Sequence, residues 1–370
     1  MMRILHLGTE KTWRGGENQI RLLIEGLKAK YHAENWVAYP QGSPAMERFA
    51  KICPVLPLPS SSSGDLRSVM QLAKWVKDNQ IHIIDAHSSG AHSLALWVKK
   101  FCPAVKVVVH RRVDNPIKDR WSTRRKYSSD EVDRFVAISY FIGQMLVEYG
   151  LPQERVSVVR SAVDHRPYEG LNRKECASKW RRQLEIDESL FLFGSASALS
   201  EQKAPDILVQ SLALLRDQSQ AKVGFHCVFA GVGDMKDELL KLTKKLELEN
   251  YVTFAGFVDD IPELLSALDC LVLPSRNEGL GTLVLEAMLA GTPVVGCSVG
   301  GIPEMVHQEE TGLLVPPENP EALAQAMARM MSEPALREKS VEAARKLVRA
   351  QFSLDSMVEG NWAVYQHVVK

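Results

Sequence analysis

The sequence has no long apolar run: nothing in its 370 residues approaches the roughly 18 to 20 consecutive apolar side chains needed to cross a bilayer. It also lacks net charge. Lys plus Arg (45) equal Asp plus Glu (45), and a molecule without an overall field does not recruit nucleic acid or an anionic membrane by charge alone. Any electrostatic partner must be met by a local patch. Paired cysteines are missing too: Cys53, Cys102, Cys176, Cys227, Cys270 and Cys297 stand apart, with no CxxC and no Cys/His spacing for zinc. They read as free thiols in a reducing compartment. Met1 runs straight into Arg3-Ile-Leu-His-Leu7, without the basic head, apolar core and cleavage site of a secretion signal. The expectation is a cytoplasmic protein, soluble or held peripherally on the cytoplasmic face of a membrane.

What is present is a balance of 45% hydrophobic and 24% charged residues, enough for buried cores, in a length that suits two domains. Short apolar runs alternate with amphipathic segments of helix length. The runs are Arg3 to Leu7, Asn35 to Tyr39, Ile81 to Ala86, Val105 to His110, Phe135 to Ser139 and Val156 to Val159. Helices are expected over Gly16 to Lys30, Asp65 to Asn79, Gly90 to Lys100 and Tyr140 to Tyr149. A second series of strands is expected near Leu190 to Ser197, Val223 to Ala230, Val252 to Phe254, Cys270 to Leu273, Pro293 to Gly296 and Leu313 to Val315. Such alternation is the form of βαβ units and of parallel sheets covered on both faces. The stretch Asp164 to Asn172, rich in breakers, is expected to link two doubly wound domains, 1–166 and 167–352. A final helix, Leu354 to Val369 within 353–370, follows the series; Ser60 to Ser63 reads as a loop.

The segment Glu278-Gly-Leu-Gly-Thr-Leu-Val-Leu-Glu286 follows the expected strand Cys270 to Leu273 and the break Pro274-Ser275. Ligands of open α/β sheets collect at the carboxyl ends of strands. A helix beginning near Gly281 leaves the amides of Gly281, Thr282 and Leu283 free to face an anion. Glu286 can accept two hydrogen bonds from a ribose diol, and Glu278 can accept them from sugar hydroxyls. The bland reading is a solvated acidic pair beside a structural helix. Lys203 follows the first strand of the second series and can neutralise a departing diphosphate. Gly15-Gly16-Glu17, between the first strand and its helix, permits close approach of backbone to an anion. His110 ends the strand Val105 to His110 and heads a basic run with Arg111 and Arg112. Lys118, Arg120, Arg124, Arg125 and Lys126 extend it, as an anion- or membrane-facing patch or as a solvated helix.

Glu278 and Glu286 in EGLGTLVLEAMLAGTPVV, followed by GGIPEMV, resemble the donor-site signature of family-four retaining glycosyltransferases (glycosyl transferases group 1). The resemblance covers nearly the whole chain. It implies the GT-B fold, two Rossmann-like domains facing across a cleft with the last helix crossing back to the first. It implies Glu278, Lys203 and His110 as catalytic residues, and Gly15, Gly16, Phe257, Val258, Gly281, Thr282, Leu283 and Glu286 as donor contacts. Phe257 and Val258 would lie against the base, and Gly15-Gly16 on the donor phosphate. Four positions depart from the pattern: Ala198 and Ala204 stand where the family has Arg and Gly, and Ser161-Ala162 replaces Asn-Gly at the end of the first domain.

The implied reaction moves a sugar from a nucleotide diphosphate, with UDP sugars preferred, to a glycan, lipid-linked or other surface-polysaccharide acceptor, by front-face displacement with retention. No D-x-D pair or His/carboxylate cluster is legible, so no metal and no cofactor beyond the nucleotide sugar is expected. No nucleic acid partner is expected; Arg111, Arg112, Arg124 and Arg125 are expected to meet an anionic acceptor or membrane. The competing readings are a nucleotide-sugar epimerase on the same architecture and a catalytically silent sugar-nucleotide binding module. A Rossmann oxidoreductase lacks its fingerprint.

Overall fold

A computed structural model describes residues 1–13, 15–60, 62, 64–218 and 224–370. The expected strand start at Val223 and the loop positions Ser61 and Ser63 lie outside the described residues. The chain divides into two compact units, Met1–Ala162 with Ser353–Lys370, and Val163–Phe352.

In the first unit the strands are β1 (Arg3–Leu7), β2 (Glu34–Pro40), β3 (Val55–Leu58), β4 (Ile83–Ala86), β5 (Lys106–Arg111), β6 (Arg134–Ala137) and β7 (Val156–Val158). They form one parallel sheet in the order β3-β2-β1-β4-β5-β6-β7. Its helices are α1 (Gly15–Tyr31), α2 (Pro44–Phe49), α3 (Leu66–Asp78), α4 (Ser89–Phe101), α5 (Trp121–Tyr127) and α6 (Tyr140–Glu148). Val107, Val108 and Val109 in β5 are all buried, as a strand covered on both faces requires. Side-chain caps start the helices where the sequence supplies them: Asp65 accepts from the Ser68 amide, Ser88 from Ala91 and Ser139 from Ile142.

The second unit contains α7 (Arg173–Gln183), β8 (Phe191–Ser195), α8 (Pro205–Gln218), β9 (Phe225–Ala230), α9 (Lys236–Lys245), β10 (Val252–Gly256), α10 (Ile261–Ala267), β11 (Cys270–Leu273), α11 (Thr282–Ala290), β12 (Val294–Cys297), β13 (Leu313–Val315), α12 (Pro320–Ser332) and α13 (Pro334–Gln351). Its parallel sheet runs β10-β9-β8-β11-β12-β13. The strand order reverses between β1 and β4 in the first sheet and between β8 and β11 in the second, the switch points where such sheets bind ligands.

The last helix, α14 (Leu354–Val369), packs in the first unit against α1. Tyr31 stacks on Trp362 with ring centroids 4.4 Å apart, and Lys30 pairs with Glu359. The stretch 164–172 is not an unstructured connection: Arg166–Tyr168 form a 3-10 turn whose tyrosine reaches α11. The six cysteines are unpaired, and burial pushes the Cys297 and Cys53 thiols up to about 12. No helix among the described residues is long and apolar enough to cross a membrane.

Candidate functional site

The second unit gathers its expected site residues at its switch point. Lys203 ends the connection after β8, and Glu278 follows β11. Lys203 Nζ and Glu278 Oε1 form a short ion pair, and the Ser275 hydroxyl donates to the same carboxylate oxygen at 3.0 Å. Glu278 and Ser275 are buried and Lys203 is half-buried. The two groups expected to act on the diphosphate and on the sugar joined to it thus neutralise one another in the free protein. The backbone at Glu278 is held as well: its carbonyl accepts from the Gly301 amide at 3.1 Å, and a Cβ on Gly300 would lie 1.6 Å from that oxygen. Nothing but glycine fits there.

Gly281, at φ +85°, turns the chain into α11 with no side chain capping the helix. The first amides of α11 therefore lack an intrahelical partner and point at whatever lies before Thr282. One turn on, Glu286 is half-buried and accepts from the Tyr168 hydroxyl at 3.3 Å. Burial pushes its carboxyl up to about 7, against the lowering effect of that one hydrogen bond. Tyr168 was not legible as a site residue: 118 positions separate it from Glu286, and no local pattern marks it. Phe257 and Val258 follow β10, with Phe257 72% exposed.

Ala204, where the family has Gly, is buried and left-handed at φ +49°. The conformation that glycine supplies elsewhere is retained here by a residue that tolerates it poorly. Ala198 is exposed beside the loop after β9, where the Leu199 amide bonds the Val232 carbonyl.

In the first unit, His110 in β5 lies among groups that sequence spacing does not connect. Asp85 at the end of β4, His6 on β1 and His87 just past β4 surround it, all buried. Asp85 Oδ2 accepts from the Tyr365 hydroxyl of α14 at 2.5 Å, and Asp85 Oδ1 lies 3.0 Å from His110 Nε2. Burial alone would raise the Asp85 carboxyl, but the facing His110 and His87 outweigh it and hold it well below the ordinary carboxylate range. Burial lowers His110 and takes His87 down to about 3.

The expectation that no His/carboxylate cluster exists is corrected: His6, Asp85 and His87 bring three ligand atoms within 4.8 Å of one another. Their hydrogen-bond directions nevertheless describe a relay. Arg112, which can only donate, lies 3.3 Å from His87 Nδ1; His87 Nε2 lies 3.1 Å from His6 Nδ1; His6 Nε2 lies 3.1 Å from Asn35 Oδ1. Coordination of an ion through His87 Nε2 would place the ring proton on Nδ1, against a guanidinium.

Arg112 also borders the start of α1, its Cδ 3.8 Å from where a Cβ on Gly16 would stand. Gly15 and Gly16 open α1, and buried Glu17 meets the Tyr39 hydroxyl at 3.5 Å. The four arginines expected on one patch separate. Arg111 is half-buried on the Tyr127 hydroxyl and Arg112 turns to His87, whereas Arg124 pairs with Asp119 and Arg125 stacks on exposed Trp121. At the chain's departure from the first unit, Gln19 clasps Ala162 by both its amide and carbonyl, at 3.0 and 2.8 Å.

Two parallel doubly wound units, one bearing paired Lys and Glu and an uncapped helix start at its switch point, define the GT-B class of fold. Residues 13–166 match the family described as Glycosyltransferase Family 4, and residues 177–347 match Glycosyl transferases group 1. The chain belongs to the family-four, group 1 glycosyltransferases. An uncharacterized glycosyltransferase of Methanocaldococcus jannaschii is 33% identical over 222 residues, 59% of this chain and 55% of the relative. The D-inositol 3-phosphate glycosyltransferase of Salinispora arenicola is 32% identical over 251 residues, 65% of this chain and 56% of the relative. The chain thus spans little more than half the length of these relatives. The crystal structure of Anabaena HepE with UDP and glucose has the same fold, with a TM-score of 0.85 at 22% identity, covering 99% of this chain and 100% of that one.

Proposed function

We propose that the protein is a retaining glycosyltransferase that takes a sugar from a nucleotide diphosphate, UDP before other nucleotides, and needs no metal or other cofactor to do so. The observation that carries the reading is the convergence of Lys203, Glu278 and the open start of α11 at one switch point, with Glu286 one turn further. In this reading the diphosphate takes the place of the Glu278 carboxylate on Lys203 and meets the amides of Gly281, Thr282 and Leu283. Freed of its lysine, Glu278 accepts from hydroxyls of the transferred sugar, while Glu286 accepts from the ribose diol. Phe257 and Val258 lie against the base. In the first unit, this reading gives His110 a hydrogen bond to a sugar hydroxyl and Gly15-Gly16, at the start of α1, contact with an anion.

The departing phosphate oxygen, stabilised by Lys203, takes the proton of the acceptor hydroxyl as the new glycosidic bond forms on the same face, so configuration is retained. HepE binds UDP and glucose, which supports the donor class. The inositol phosphate glycosyltransferases support an anionic acceptor, and we assign Arg112, beside Gly16, as the cation that meets it. Exposed Trp121 with Arg125, and Arg124, fit a lipid-linked acceptor presented at an anionic membrane surface.

The deciding experiment incubates the full chain with UDP-glucose, with and without an acceptor panel, and reads products by NMR. Transfer with an α linkage from the α donor is expected. A β linkage overturns retention; isomerised donor without acceptor makes the protein an epimerase; UDP binding without turnover makes it a binding module.

A further inference from the structure

The proposed reaction uses His110 but leaves Asp85 and Tyr365 without a role, although they are among the most deeply buried polar side chains of the first unit. Asp85 comes from β4, His110 from β5 and Tyr365 from α14, 280 positions from Asp85. Such a carboxylate is expensive to bury and is kept only where its lone pairs are used. One oxygen is used by Tyr365. The other, Asp85 Oδ1, faces His110 Nε2 at 3.0 Å, off the axis of an aligned hydrogen bond.

That distance decides which ring nitrogen carries the proton. A lone pair on Nε2 would confront a carboxylate oxygen at 3.0 Å, whereas an N–H there is attracted to it. With Nε2 protonated and the ring neutral, Nδ1 is the acceptor. His110 is 5% exposed, and Nδ1 has no hydrogen-bond partner among the described residues. A buried acceptor left open is what a ligand hydroxyl would complete.

We propose that Asp85, anchored by Tyr365, is a positioning residue that holds His110 as its Nε2–H tautomer, so that Nδ1 accepts a hydrogen bond from a sugar hydroxyl. The inference rests on the proposed transfer for its consequence and on the Asp85–His110 contact for its geometry. Tyr365 matters because its hydroxyl donates to Oδ2, which also lies 3.2 Å from His87 Nε2 and 3.4 Å from His6 Nδ1, and so leaves Oδ1 to face His110. The last helix thereby reaches the histidine through one side chain.

The test has two arms. Ring-15N histidine NMR of the intact chain, with His110 assigned by its loss in H110Q, reads the tautomer directly. Protonated Nε2 and bare Nδ1 are expected; a proton on Nδ1 overturns the proposal, whatever the protein catalyses. The second arm is a double-mutant cycle. Asp85→Ala should lower kcat about tenfold or more while the Kd for UDP stays within about twofold, and should cost less than about twofold in an H110A background. Equal losses in both backgrounds would make Asp85 a structural residue and overturn its positioning role. If D85A does not fold, the wild-type tautomer still decides. If the tautomer is as stated and no acceptor or donor yields transfer, the proposed function fails and the assignment of His110 stands.

Discussion

Among the described residues Glu286 has one hydrogen-bond partner, Tyr168, and its carboxyl sits at about 7 where an exposed glutamate lies near 4.5. In the proposed role, the ionised form offers both oxygens to the two ribose hydroxyls and the protonated form does not. UDP affinity should therefore rise with pH through about 7 and fall about tenfold per unit below it, whereas Glu286→Gln should bind weakly with little pH dependence. Calorimetric titration at about pH 6 and pH 8 checks both. In the free protein the sign reverses. A raised carboxyl favours the protonated folded state, so its contribution to stability is complete below about 4.5 and is lost as pH rises through about 7. Glu278 should behave differently: E278Q should keep UDP binding within a fewfold and lower kcat about a hundredfold or more, a split read by steady-state kinetics. Ala198→Arg, restoring a cation that the family pattern has and this chain lacks, should tighten UDP severalfold at low salt and less at high salt. The positions of Glu278, Glu286 and Lys203 were legible because each is tied to a strand end or a helix start that local sequence writes. Tyr168, Asp85, His6 and His87 were not, because only the folded sheet order brings them to their partners.

At the scale of elements, the strands with continuous apolar runs were readable almost to the residue: β1, β11 and β13 occupy the expected spans. β3 was missed. Its Val-Leu-Pro-Leu is short and carries a proline, which is tolerated because β3 lies at the sheet edge, where one side needs no ladder bonds. The turn from β11 into α11 depends on Gly300 lying against the Glu278 carbonyl. Gly300→Ala meets that oxygen at 1.6 Å and forces a non-glycine residue to φ +52°. It should destabilise the protein by about 2 kcal/mol or more. Gly42→Ala, at φ +76° with open space around it, should cost only the backbone strain, about 1 kcal/mol. Urea denaturation of both variants separates the close approach from the strain. Tyr365→Phe removes the aligned donor to a buried carboxylate and should cost about 1 to 3 kcal/mol in the same measurement.

For the whole molecule, the alternation of strands and helices conveyed two doubly wound sheets, because each βαβ unit is written locally. The attachment of α14 to the first unit came from the family resemblance and from no local pattern. The two units carry different chemistry: the second holds the paired Lys203 and Glu278, the first the Asp85 cluster. Donor binding should therefore be legible as a regional event. Hydrogen exchange of the intact chain with and without saturating UDP tests the central claim, that the start of α11 and its neighbouring acids hold the nucleotide. Slowed exchange at the amides of Gly281, Thr282 and Leu283 and in the loops after β8 and β10 is the predicted result. Unchanged exchange at Gly281 to Leu283 under saturating UDP, with protection appearing elsewhere, would contradict it.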